Sequence, residues 1–153
     1  PGGSVEGVGG SGKPRTKWGS TMNDFALVPV LAGAAAFFVV GMIWYGGLFG
    51  KVWQKAAGIT DEHAESGNMA LIFGLCFVFE ILIAAVLWHL LARTSPAPHV
   101  IMMMAVGFAG GVMIPAMAIN YLFQRKPLGL FLIDGGHFLF GMAAMGGVFI
   151  AFQ

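Results

Sequence analysis

Asp134 and His137 stand three residues apart inside an apolar run from Leu128 to Gln153. Glu80 stands alone near the middle of another run, from about Asn68 to Ala92. Residues three apart share one helix face. An acid and an imidazole on one face can relay a proton or hold a small cation if other groups complete the site. A charge inside a bilayer is costly and needs partners, so the neighbours matter as much as the residues themselves. At about 1.5 Å of rise per residue, Glu80 lies roughly 18 Å from Asn68, and Asp134 and His137 roughly 9 and 14 Å from Leu128. Tyr45 and Asn120 enter from the same side. The five groups, Glu80, Asp134, His137, Asn120 and Tyr45, are therefore expected to converge as an intramembrane network that binds a proton or small cation. The alternative is a hydrogen-bond network that only fixes helix register, with Glu80 neutral. Asp134 is shallow enough to be hydrated, which leaves His137 and Glu80 as the pair most in need of each other.

The methionines form a second constellation. Met113 and Met117 share a helix face, and thioethers suit Cu(I); methionine is also a common filler of apolar packing. Sequences of the type GxSxG, HExxH, CxxC or a phosphate loop do not occur, and Asp134 and His137 have no evident nucleophile beside them. A non-enzyme without a cofactor is the expectation. Cys76, the single cysteine, cannot form an internal disulfide and reads as a small buried apolar residue. His63, His89 and His99 fall near the ends of apolar runs, where interfacial water can solvate them. Trp44, Tyr45, Trp53, Trp88 and Tyr121 read as anchors at a membrane–water boundary.

These residues are held by a chain of 153 residues, 58% hydrophobic and 10% charged, with a mean hydropathy of +0.81. Soluble domains carry about a quarter charged residues. A chain this short has too much surface to hide so many apolar side chains from water, so lipid must cover them. A net charge of +1 offers no field for nucleic acid. The stretch Pro1 to Thr21 is rich in Gly and Ser and reads as a flexible linker or expression scar. The natural chain is expected to begin at Met22, with residues 22–153 forming one membrane domain.

Four segments are long enough to cross about 30 Å of hydrocarbon: about 25–50, 68–92, 99–124 and 128–153. The reading is an all-α, integral membrane four-helix bundle whose antiparallel neighbours are joined by short connections. Between the first two spans, Leu48, Phe49, Val52, Trp53, Ala56 and Ala57 recur at helical spacing. They predict either a short helix along the interface or a continuation of the first helix to near Gly58. Pro115 predicts a kink in the third span. The pairs Gly107/Gly111 and Ala143/Gly147 are candidate contacts between copies of a homo-oligomer. Lys51, Lys55, Arg125 and Lys126 lie on one side and Arg93 on the other, which puts both termini outside a bacterial inner membrane.

Two stretches carry a family resemblance. Trp44-Tyr45-Gly46-Gly47-Leu48-Phe49-Gly50-Lys51-Val52-Trp53 with Gly58-Ile59-Thr60 resembles the first signature of a small bacterial membrane family, domain of unknown function 1761. Tyr121-Leu122-Phe123-Gln124-Arg125-Lys126-Pro127-Leu128, running into Ile133-Asp134-Gly135-Gly136-His137, is similar to its second. The resemblance covers about Met22 to Gln153. It implies a four-helix membrane domain and no particular activity. On the residues alone, two functions stay open: a small transporter or channel-like protein, or a non-catalytic scaffold or partner subunit. Cu(I) handling is a distant third.

Overall fold

Proline and glycine set several of the helix boundaries. The protein, here a computed structural model, is described over residues 27–60, 62 and 67–153. The tail, the start of the first span, and Asp61, His63 and Glu65 of the first connection lie outside the described residues. Helix α1 spans Leu27–Ile43 and runs into a π-helical turn at Trp44–Leu48. Phe49, at φ −120° and ψ 0°, breaks the helix there, and a separate short helix α2 follows at Gly50–Ala57. Gly58 closes α2 in the left-handed region at φ 73°, which a side chain would resist. Helix α3, Met69–Thr94, is capped by the Asn68 side chain, which accepts from the Leu71 N–H at 3.1 Å.

Helix α4, Pro98–Phe108, begins on a proline and passes through a second π turn at Ala109–Met113 into α5, Ile114–Phe123. Pro115 lacks the N–H that would take up a carbonyl one turn earlier. The helix widens immediately before it, and the Ile114 N–H reaches back to the Ala109 carbonyl. The expected irregularity is thus a π turn. Pro127 then sets the start of α6, Leu128–Ala151. Four helical stretches, Leu27–Leu48, Met69–Thr94, Pro98–Phe123 and Leu128–Ala151, are long and apolar enough to cross a membrane. They match the four expected spans to within a few residues.

Helix α6 holds the centre. Its buried face repeats at helical spacing through Leu130, Ile133, Asp134, His137, Gly141, Met145 and Phe149. It packs against α1 and α4, and α1 in turn packs against α3. Close approach to α4 depends on Gly146: a β-carbon there would lie 2.9 Å from the Ala105 β-carbon. Burial along α3 is uneven. Ala84, Leu87, Trp88 and Leu91 are buried, whereas Leu71, Ile72, Phe73, Leu75, Val78 and Phe79 are exposed. The bundle is closed near the α3–α4 connection, where Trp88 meets Phe149 at 5.2 Å between ring centroids and the Gln153 amide donates to the Pro96 carbonyl at 2.8 Å. Toward the other end α3 stands away from α4 and α5.

Two sequence expectations are corrected here. Cys76 is exposed: it lies one turn before Glu80 on the same face of α3, in the half of the helix that is loosely packed. Trp88 is a core residue, 4% exposed, rather than a boundary anchor. Gly107, Gly111 and Gly147 face outward with no neighbouring atom among the described residues where a β-carbon would go, whereas Ala143 is half-buried.

Candidate functional site: a carboxylate held by aromatic donors

Helix α6 carries Asp134 on its buried face, 6% exposed. Three neutral donors from three other helical segments converge on it. The Tyr45 hydroxyl, from the π turn ending α1, donates to Oδ1 at 2.6 Å. The Trp53 indole N–H, from α2, donates to the same oxygen at 2.9 Å. The Tyr121 hydroxyl, from the last turn of α5, donates to Oδ2 at 2.5 Å. One turn of α6 is gripped a second time, because the Trp44 indole N–H donates to the Ile133 carbonyl at 2.9 Å.

The local backbone explains this convergence. A π turn has more residues per turn than an α-helix, so consecutive side chains rotate less around the axis. Trp44 and Tyr45 can then both reach α6. The Phe49 N–H closes this turn on the Trp44 carbonyl at 2.8 Å. The chain turns so tightly that a β-carbon on Gly50 would lie 2.2 Å from the Tyr45 carbonyl oxygen. Only glycine fits there, and α2 starts at the angle that swings Trp53 onto Asp134. Gly136 admits the indole of Trp44, since a β-carbon would lie 2.7 Å from its Cζ2.

His137 sits one turn deeper on the same face of α6. Its ring meets Tyr45 and Phe37 edge-to-face at centroid distances of 5.0 and 5.1 Å. Its buried Nε2 has no hydrogen-bond partner among the described residues. That atom points at Gly41 of α1, where a β-carbon would lie 2.9 Å away.

The structure therefore brings together Asp134 and Tyr45, with His137 at the cluster's edge, and leaves out the other two expected members. Asn120 is exposed, and its amide donates to the Ala116 carbonyl one turn back at 3.3 Å. It belongs to the outer face of α5. Glu80 is buried, 8% exposed, but its Oε2 has no hydrogen-bond partner among the described residues. The expected Glu80–His137 pair forms no hydrogen bond or ion pair. The reason lies in α1: Phe37 turns toward His137 on α6, while Phe38 turns toward Phe73 and Phe77 on α3. The two residues approach α1 from different sides.

Trp53, Tyr121 and Trp44 are site residues that sequence reasoning assigned to the membrane boundary. A signal for them was present, since each carries a polar tip and each lies within one of the two signature stretches. Those stretches meet in space at Asp134. Met113 and Met117, the candidate thioether pair, are both half-buried. Among the described residues, no three His, Cys, Asp or Glu side chains are placed to hold a metal ion.

A family model described as a protein of unknown function (DUF1761) matches residues 28–150. The chain belongs to this family. The matched range contains every DUF1761 residue of the cluster, from Trp44 to His137. Comparison with curated proteins and with solved structures gave no match.

Proposed function

We propose that this DUF1761 chain is a non-catalytic membrane domain, a scaffold or partner subunit, whose polar cluster holds its helices in register. One observation carries the reading: both Asp134 oxygens are already occupied by neutral donors from three other helical segments. A carboxylate so filled contributes geometry, because breaking any one bond leaves a buried donor or acceptor unmatched. The pairs Gly107/Gly111 and Ala143/Gly147 would serve association with a second copy or another membrane helix. In this reading the α2 and α5–α6 connections, which carry Lys51, Lys55, Arg125 and Lys126, face the cytoplasm and both termini lie outside a bacterial inner membrane; the excess of lysine and arginine on that side supports it.

A second reading, a small proton- or cation-transporting protein, is favoured by a different observation: Glu80 Oε2 and His137 Nε2 are buried without hydrogen-bond partners among the described residues. Such atoms are where a moving ion could be received. The readings separate in proteoliposomes. The packing reading expects no flux under a pH or cation gradient, with Asp134→Asn and Asp134→Leu both lowering the melting temperature. Gradient-driven flux in the wild type that Asp134→Asn abolishes at unchanged melting temperature rejects the packing reading.

A further inference from the structure

Glu80 lies outside the Asp134 cluster and is given no task by it. It is the only acidic residue of α3, and Arg93, the helix's only other charged side chain, is in the last turn. Its neighbours on the buried face, Ala84 and Leu87, are hydrocarbon; one turn earlier lie Cys76, which is exposed, and Phe77, which is edge-to-face with Phe38 at 5.5 Å between centroids. The residue is 8% exposed and its buried Oε2 has no hydrogen bond among the described residues.

The groups that face it supply no compensating charge. Between Leu27 and Ile43, α1 carries no titratable side chain, and Tyr45 beyond it is committed to Asp134. Helix α6 offers Asp134, already filled, and His137, which makes no ion pair with Glu80. Across α4 and α5 the titratable groups are His99, at the start, and Tyr121, also committed to Asp134. The described lysines and arginines are all exposed, at or beyond helix ends. An unpaired carboxylate in hydrocarbon costs several kcal/mol even after relaxation, and a buried group in that position neutralises instead.

We propose that Glu80 is a proton-binding site within the bilayer, separate from the Asp134 cluster: its carboxyl is held as the neutral acid at neutral pH. The proton is the ligand: a carboxylate oxygen binds H⁺ and becomes the neutral acid. The preceding stretch of α3, from Met69 to Phe79, is largely exposed. The assignment does not rest on the packing reading, because the two sites share no hydrogen bond.

Infrared difference spectroscopy on the full chain in lipid bilayers tests this. Wild type minus Glu80→Gln at neutral pH is expected to show the carbonyl stretch of a protonated carboxylic acid, displaced in deuterated water. Carboxylate bands in that difference, without the acid band, overturn the proposal. Glu80→Gln mimics the neutral acid, so its melting temperature is expected to equal that of the wild type. A large loss of stability counts against a neutral Glu80. Carbon-13 spectra of wild type labelled at glutamate carboxyl carbons give the same answer without a substitution: one neutral acid signal is expected at neutral pH, and carboxylate signals alone reject it. Overturning this result leaves the Asp134 reading standing, whereas flux measurements decide that reading and leave the proton at Glu80 untouched.

Discussion

A carboxylate between two phenols and an indole has a neutral donor on each oxygen, and no cation touches it among the described residues. That arrangement suits a site where a lysine or arginine would have to be buried with it. Each donor is individually worth modest energy, because membrane hydrogen bonds are partly replaced in the unfolded reference state. Tyr121→Phe removes one donor and keeps the ring; thermal unfolding in detergent should show a loss of about 1–2 kcal/mol. Tyr45→Phe should cost a similar amount. The double variant should depart from the sum of the two by about 0.5 kcal/mol or more, since both hydroxyls share one carboxylate. Strict additivity would show that the two bonds act independently.

Elements are joined in this chain by close approach as much as by polar contacts. Gly146 and Gly147 are sequence neighbours with opposite surroundings, one against the Ala105 β-carbon and the other in open space. Gly146→Ala must push α4 from α6 and should cost about 1–3 kcal/mol. Gly147→Ala should be neutral, or stabilising by up to about 1 kcal/mol through helix propensity. Equal effects at both positions would contradict the packing of α4 on α6. Helix α2 depends on Asp134 in a different way. Trp53 is its polar tie to the bundle, supported by a ring contact with Tyr45 at 5.5 Å. Trp53→Phe keeps an aromatic ring and loses the N–H. Trypsin should then cut after Lys51 and Lys55 several-fold faster than in the wild type, measured by the rate of fragment appearance.

Over the whole molecule, packing is graded from one end to the other. Near the α3–α4 connection, α3 buries Ala84, Leu87, Trp88 and Leu91; toward α2 the same helix leaves Met69 to Phe79 largely exposed. Helices with few packed neighbours open at lower free energy. In detergent micelles, amide hydrogen exchange should be faster across 69–79 than across 84–91, although both belong to one helix. Uniform protection along α3 would show that the loosely packed half is held by something other than this chain.

Hydropathy and length were enough to place four spans and their antiparallel order, because each span must bury about 20 apolar residues in lipid and short connections allow little freedom. Proline and glycine placed several of the boundaries, since their effects on φ and on N–H donors are local. An acid in an apolar run marks Asp134 as costly, but its depth suggests hydration, whereas it is 6% exposed and held by three side-chain donors. Its partners were not legible. Depth alone suggests a shared level for Asn120 and Glu80, but the direction each side chain faces depends on which helices touch. The π turn at Trp44–Leu48 and the break at Phe49 turn Trp44, Tyr45 and Trp53 inward. Phe37 and Phe38, on different sides of α1, separate His137 from Glu80. Those choices belong to the tertiary structure, because rotation about a helix axis is settled by packing between elements and not by the apolar content of any one of them.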